Sequence, residues 1–191
     1  MNIATGNILR EAIKTKTPLG IRANATIDRG DLVDDDTMIG IVRELLLRPD
    51  TRRGFVLDGF PRTVTQARAL DDIVHERENG PLVVIDIVVP MQELLRRLVG
   101  RRICSKCGTN ADPFDTAETC RRCGGLLVHR SDDTQDVVQD RLKVYERQTY
   151  PLAEYYRNRP TFRVVDGAQA PDRVASELDR AIDDAAAEGE A

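Results

Sequence analysis

The sequence predicts an α/β fold carrying one inserted subdomain, and three observations support this. Two short apolar runs, Phe55-Val56-Leu57 between Gly54 and Gly59 and Leu82 to Val89, read as buried strands. Each is followed by apolar residues at helical spacing, and a strand-helix-strand-helix order implies a parallel sheet with crossover connections. Between about Gly100 and Asp133 both periods stop, and cysteine, glycine and proline take over. A chain of 191 residues can bury one good core and still carry such an excursion.

Taken in order, Thr5 is placed to cap a helix whose residues Ile8, Leu9, Ala12 and Ile13 fall on one side, with Pro18 closing it. A short second helix over 19–29 ends at Gly30. Asp34, Asp35 and Asp36 then precede Met38, Ile41, Val42, Leu45 and Leu46, an apolar stripe with carboxylates where the helix dipole favours them. The first fifty residues are therefore expected to be mostly helical. Residues 63–78 carry Ala67, Leu70, Ile73 and Val74 at helical spacing, and Pro90 starts a helix with Leu94, Leu95, Leu98 and Val99. Beyond the cysteine segment, Asp133-Thr134 is expected to cap a helix through Val137, Val138, Leu142 and Tyr145, which Pro151 kinks or interrupts. Residues 162–165 form a further strand and 174–182 a further helix. The Ala/Glu-rich end from Asp183 is expected to fray.

Composition narrows the class. Hydrophobic residues make up 41% and charged residues 31% of the chain, and no run approaches the roughly 18 apolar residues a membrane span requires. The start, Met1-Asn2-Ile3-Ala4-Thr5-Gly6, has neither the basic nor the apolar region of an export signal, so a cytoplasmic protein is expected. A net charge of −4 gives no general attraction to a nucleic acid backbone. Arginines nevertheless gather between Arg96 and Arg102 and at Arg121, Arg122 and Arg130, which suits small anions or, alternatively, a solvated basic face.

Two constellations carry chemistry. Leu57-Asp58-Gly59-Phe60-Pro61-Arg62 puts a carboxylate at the carboxyl end of a strand, where open parallel sheets bind ligands, then a tight turn, then an arginine on a proline-stiffened backbone. Asp58 can hold magnesium through water and Arg62 can fork onto a phosphate; the other reading is a plain turn with a surface ion pair. The second constellation is Cys104, Cys107, Cys120 and Cys123. These form two C-x2-C pairs separated by twelve residues, with Gly108 and Gly124 directly after each pair. Four thiolates suit a closed tetrahedral zinc site of structural type, in preference to free thiols or an opportunistic disulfide. With four ligands supplied, His129 reads as an exposed residue rather than a fifth ligand, and His75 takes no role.

At Asp58 to Arg62, followed by Gln66, the sequence resembles the adenylate kinase family. Ala4 to Arg10 resembles the start of that family's nucleoside-monophosphate site, and Gly30-Asp31-Leu32-Val33 the next part of it. Val99-Gly100-Arg101-Arg102 resembles the entry to the family's lid, Arg130 to Asp133 through Arg141 its exit, and Val165-Asp166-Gly167 the loop near the adenine of ATP. The resemblance covers essentially the whole chain in order. It implies reversible phosphoryl transfer from ATP to AMP giving two ADP, with magnesium accompanying ATP. It also implies AMP contacts from Thr5, Arg10, Asp31, Leu32, Val33, Gly59, Phe60, Pro61, Arg62 and Gln66, the last reading the adenine edge without strictly excluding other bases. Arg62, Arg101, Arg130 and Arg141 would surround the phosphates, Arg130 and Arg141 reaching AMP as well, and Asp58 would help place magnesium. Arg97, Arg101, Asn110, Ala111 and Gln169 would face ATP. Asn110, Ala111 and Gln169 depart from common family residues, so their role rests on backbone contact.

The implied division is a core with the AMP region over 1–100, a zinc-bearing lid over 101–133, and the rest of the core over 134–191. Its partners are ATP, AMP and ADP, with neither nucleic acid nor membrane, and the full core is expected to act as a monomer. Members of the family open with a buried strand, a glycine-rich loop ending in Gly-Lys, and a helix whose amino end faces the ATP phosphates. No G-x-x-x-x-G-K occurs in the sequence. Hence the expected architecture is a P-loop-kinase-like parallel sheet lacking its first, central strand, with the flanking strands left with unpaired backbone. The coherent set of AMP and lid residues favours a true start upstream of Met1 over a genuine fragment. Without the loop, activity is expected to be a small fraction of that of an extended chain. The alternative is a noncatalytic nucleotide- and zinc-binding remnant. A zinc-ribbon module for nucleic acid has the cysteines in its favour but lacks interleaved aromatics and positive charge.

Overall fold

The computed structural model describes residues 1–29, 31–77, 80–111, 116–130 and 133–189. The expected helix stops at Gly30 and Glu78, and Pro113, Ser131 and Asp132, lie outside these.

The chain begins with a strand, β1 (Asn2–Ala4), that the periodicity did not indicate; it pairs in parallel with β2 (Val56–Asp58), in the register Asn2 to Val56, Ile3 to Leu57 and Ala4 to Asp58. Three residues are too few to show an alternating pattern, and the strand exists because β2 completes its hydrogen bonding. Helix α1 (Thr5–Lys14) follows at once, so Thr5 is its first residue and Ala4 occupies the cap position without a side-chain bond. The Thr5 hydroxyl, expected to cap, turns instead toward β2.

Helix α2 (Pro18–Asp28) starts with proline in its first turn, capped by the Thr17 hydroxyl, which accepts the Gly20 N–H at 3.1 Å. It packs so tightly on α1 that a Cβ on Gly20 would collide with the Ala12 carbonyl. Helix α3 (Asp35–Leu46) is capped by Asp34, whose carboxylate accepts the Thr37 N–H at 2.9 Å. This bond holds the Asp34 carboxyl below the usual range. Helix α4 (Val64–Arg77) packs on α3, and Ile3, Leu9, Ala23, Met38, Val42, Leu46, Phe60, Leu70 and Ile73 form one buried core.

A second parallel pair forms from β3 (Val84–Val88) and β6 (Phe162–Asp166), in register from Val84 to Phe162 through Val88 to Asp166. The described residues thus build two separate parallel pairs, which accords with an α/β fold. Helix α5 (Met91–Val99) leads from β3 to an antiparallel pair, β4 (Arg102–Cys104) and β5 (Leu127–His129), that brackets the cysteines. Helix α6 (Gln135–Val144) runs into a π turn over Tyr145–Thr149 and then α7 (Pro151–Tyr156), so Pro151 interrupts the helix as expected.

Past α7, Arg159 reaches back to α4, donating two hydrogen bonds to Asp71 at 2.7 and 2.5 Å, while the Tyr155 hydroxyl donates to the same carboxylate at 2.6 Å. Its guanidinium lies over both the Tyr155 and Tyr156 rings, 5.1 and 4.4 Å from their centroids.

The terminal helix α8 (Pro171–Gly189) corrects the expectation of a frayed end from Asp183. Ala185 is fully buried, Glu188 pairs with Arg163 of β6 at 2.9 Å, and Gly189 sits so close to Pro81 that a Cβ there would clash. Docking on β6, absent from any local composition signal, holds the helix together. No helix among the described residues is long and apolar enough to cross a membrane.

Candidate functional site

Parallel pairing of β1 with β2 brings their carboxyl ends side by side, so Thr5 stands against the Asp58 turn. Its hydroxyl proton is shared between the Asp58 and Gly59 carbonyls, at 3.2 and 3.0 Å. Gly59 has φ +78°, and a Cβ there would lie 2.9 Å from the Thr5 hydroxyl and 3.0 Å from the Arg62 guanidinium, so the turn accepts glycine alone. The Phe60–Pro61 bond is cis, and the Phe60 ring drops into the core. Arg62 then folds back, its Nε donating to the Gly59 carbonyl at 3.0 Å, and Thr149 of the π turn holds the Arg62 carbonyl at 2.9 Å. Burial, and then the nearby charge of Arg141, lower the Arg62 pKa, with Asp58 opposing them. A guanidinium remains charged in such surroundings, so the turn carries a fixed positive charge.

Gln66 is buried, 2% exposed, in the first turn of α4. Its carbonyl oxygen accepts the Arg62 N–H at 2.8 Å, and its amide nitrogen donates to Asp35 at 2.8 Å. Thr63 braces the arrangement: its hydroxyl donates to both Asp35 oxygens at 3.0 Å and accepts the Gln66 N–H at 3.2 Å. Asp35 had been given no role beyond the charge of the α3 amino end. Sequence spacing could not join residues 31 positions apart.

Asp133 is the other residue whose place the sequence mislaid. It was expected to cap α6, but Thr134 takes the cap position, without a side-chain bond, and the Asp133 carboxylate is 1% exposed among three arginines. Arg101 grips it with two hydrogen bonds of 2.8 Å, Arg141 donates at 3.2 Å, and Arg130 lies 3.8 Å away. Three of the four predicted phosphate arginines thus converge on one carboxylate, and the fourth, Arg62, senses Arg141. The motif Arg130 to Asp133 carried a legible signal, since an acidic residue so near an arginine cluster invites pairing.

The remaining predicted residues lie further out. Arg97 donates to Glu93 at 2.6 Å and to the Gly167 carbonyl at 2.8 Å, tying α5 to the loop after β6. Gln169 of that loop is held by Glu177 at 2.9 and 3.0 Å. Asn110 bridges Ile103, and the Ala111 N–H is spent on the Arg102 carbonyl at 2.8 Å, so Ala111 can meet a ligand only through its carbonyl or methyl. Arg10 bonds Asn7 at 2.6 Å, Asp31 bonds Arg29 at 3.2 Å, and Val33 packs on the core next to Leu32.

The four cysteine sulfurs all lie within 4.8 Å of one another, with Cys104 to Cys123 at 3.4 Å and Cys107 to Cys120 at 3.7 Å. A tetrahedral zinc with bonds of about 2.3 Å sets its sulfurs roughly 3.8 Å apart, so the spacing fits. No disulfide joins them. Each C-x2-C pair closes the same way: the Gly108 N–H returns to the Cys104 carbonyl at 2.9 Å and the Gly124 N–H to that of Cys120 at 2.8 Å, both glycines at φ +70°. The Lys106 and Cys107 N–H groups point at the Cys104 sulfur, each at 3.4 Å, the bonds a thiolate accepts.

Residues 1–161 match the family model described as adenylate kinase. An adenylate kinase of Moorella thermoacetica is 48% identical over 185 residues, which cover 95% of this chain and 85% of the relative. Adenylate kinases of Syntrophobacter fumaroxidans, 46% identical over 176 residues (90% and 83%), and Methanocella arvoryzae, 43% over 185 (95% and 86%), match likewise. A glycine-demanding turn under a half-buried arginine, an arginine trio on one carboxylate, and these matches over most of the chain lead to one conclusion: the protein belongs to the adenylate kinase family.

Proposed function

We propose that the chain transfers a phosphoryl group reversibly between ATP and AMP, giving two ADP, with Arg62, Arg101, Arg130 and Arg141 forming the phosphate-binding set. The observation that carries this reading is the meeting of three of these arginines on Asp133, from the two ends of the cysteine segment and from α6, with Arg62 close to Arg141. Phosphoryl transfer asks for positioning and charge neutralisation rather than a protein nucleophile, and fixed guanidinium donors supply both. Thr5, Arg10, Gly59 and Gln66, with the backbone from Asp31 to Val33, form the AMP side. Arg97, Arg101, Asn110, Ala111 and Gln169 form the ATP side.

Magnesium bound with ATP would neutralise charge between the β and γ phosphates, and Asp58, exposed at the carboxyl end of β2, is the carboxylate suited to hold its waters. The cysteines would hold zinc in a structural role in a lid over 101–133, inserted in a core over 1–100 and 134–191, and reduced thiols of this kind suit the cytoplasm. The test is a coupled assay of ADP formation from ATP and AMP, with titration calorimetry for AMP. ADP formation that needs both nucleotides supports the reading. AMP binding without transfer would favour a noncatalytic binding protein, and no binding of either nucleotide would remove the reading.

A further inference from the structure

The Gln66 amide is held so that it cannot turn over. An amide group has two acceptor lone pairs on oxygen and two N–H donors on nitrogen. Here Oε1 receives the Arg62 N–H and Nε2 gives one proton to Asp35, which leaves one acceptor and one donor for a third partner. Turning the amide by half a rotation would set NH2 against the Arg62 N–H and oxygen against a carboxylate. Both contacts would become unfavourable, one of them with a full charge. Asp35 itself is fixed by the Thr63 hydroxyl, which spans both its oxygens at 3.0 Å.

This matters because purines differ in the order of their polar edge. A 6-aminopurine presents a donor at the 6-amino group beside an acceptor at N1; a 6-oxopurine presents an acceptor at O6 beside a donor at N1. A free glutamine reads either by turning over. A locked one reads one order, provided that the ribose and phosphate are anchored and the base cannot turn over in its place. We propose that Asp35 is a positioning and specificity-determining residue: acting through Gln66, it sets the amide to accept 6-aminopurine and refuse 6-oxopurine nucleoside monophosphates. This rests on the reading of Gln66 as the residue that faces the base.

The test compares AMP with inosine monophosphate, which differ at the 6-position and N1 alone, by titration calorimetry on the full chain and on Asp35→Asn, Asp35→Ala and Gln66→Ala. Melting curves for each protein report whether it folds. The wild type is expected to prefer AMP, and Asp35→Asn, whose side chain can meet either face of the amide, is expected to shrink that preference by about tenfold, the weight of one hydrogen bond to a charged group. Asp35→Ala, which likewise removes the carboxylate and leaves the Arg62 N–H in place, is expected to shrink it by a similar factor, and it serves if the asparagine variant does not fold. A merely structural role would weaken both ligands together and leave their ratio unchanged, and an unchanged ratio in both Asp35 variants overturns the proposal. An unchanged ratio in Gln66→Ala overturns instead the assignment of Gln66 to the base, and the proposal with it.

Discussion

Replacing Asp133 with alanine removes a buried carboxylate that Arg101, Arg130 and Arg141 all approach, and the structure sets the size of the effect. The Asp133 side chain is 1% exposed and those of the arginines 26%, 8% and 22%. Deleting one partner of a buried ion pair costs about 3–5 kcal/mol, chiefly because the other charge stays buried and uncompensated. Since Arg101 and Arg141 keep partial contact with water, the lower end applies, about 3 kcal/mol. For a chain of this size each kcal/mol moves the melting temperature by about 2–4 °C, so Asp133→Ala should melt roughly 6–12 °C below the wild type. A polyphosphate returns negative charge to the same guanidiniums, so ADP should raise the melting temperature of the variant more than that of the wild type. Scanning fluorimetry with and without ADP measures both quantities. A variant melting within about 2 °C of the wild type, or one that ADP stabilises no more than the wild type, would refute the account of the trio as charges held in place by Asp133.

Three further outcomes are expected. In a chain extended upstream by the family's strand, glycine-rich loop and helix, Arg62→Ala should lower turnover by about 10²-fold or more while the fold survives, because one preorganised donor to a developing charge is lost; near-normal turnover would count against the whole phosphate set. The reduced protein should carry about one zinc per molecule by elemental analysis, and chelation should speed hydrogen exchange first in residues 101–130; metal-free protein with unchanged exchange would remove the zinc reading. Burial alone would push the Asp71 carboxyl up, but the hydrogen bonds from Arg159 and Tyr155 outweigh it and hold the carboxyl below its usual value. Its contribution is therefore complete above the unfolded carboxyl pKa of about 3.9 and is lost as pH falls through the lowered native value. Asp71→Asn should destabilise by about 1 kcal/mol at pH 7, discounted for partial exposure, and the gap to the wild type should close at the acid end of a melting series; a gap that persists there would show that the carboxylate charge is not its source.

What the sequence determined by itself was whatever repeats within a few residues. The stripe Met38, Ile41, Val42, Leu45, Leu46 foretold α3, the apolar runs foretold β2 and β3 as strands but not their exposure, since Val56, Ile87 and Val88 are exposed rather than buried, and Pro151 foretold the interruption after α6, because a turn of helix or a pleat of strand is a local object. The two C-x2-C pairs announced a common centre for the same reason: each knuckle closes within four residues. The tertiary structure decided the rest. Strand β1 has three residues and exists through pairing 54 positions away, as Asn2 meets Val56. Helix α8 continues past Ala185 because β6 and Pro81 give it a surface to bury. Asp133 left its cap position for arginines as far as 32 residues distant, and Asp35 found Gln66 across 31. A carboxylate in a sequence shows its charge but not its partner. Which arginine or amide it meets depends on how the helices between them pack, and periodicity carries no record of that geometry.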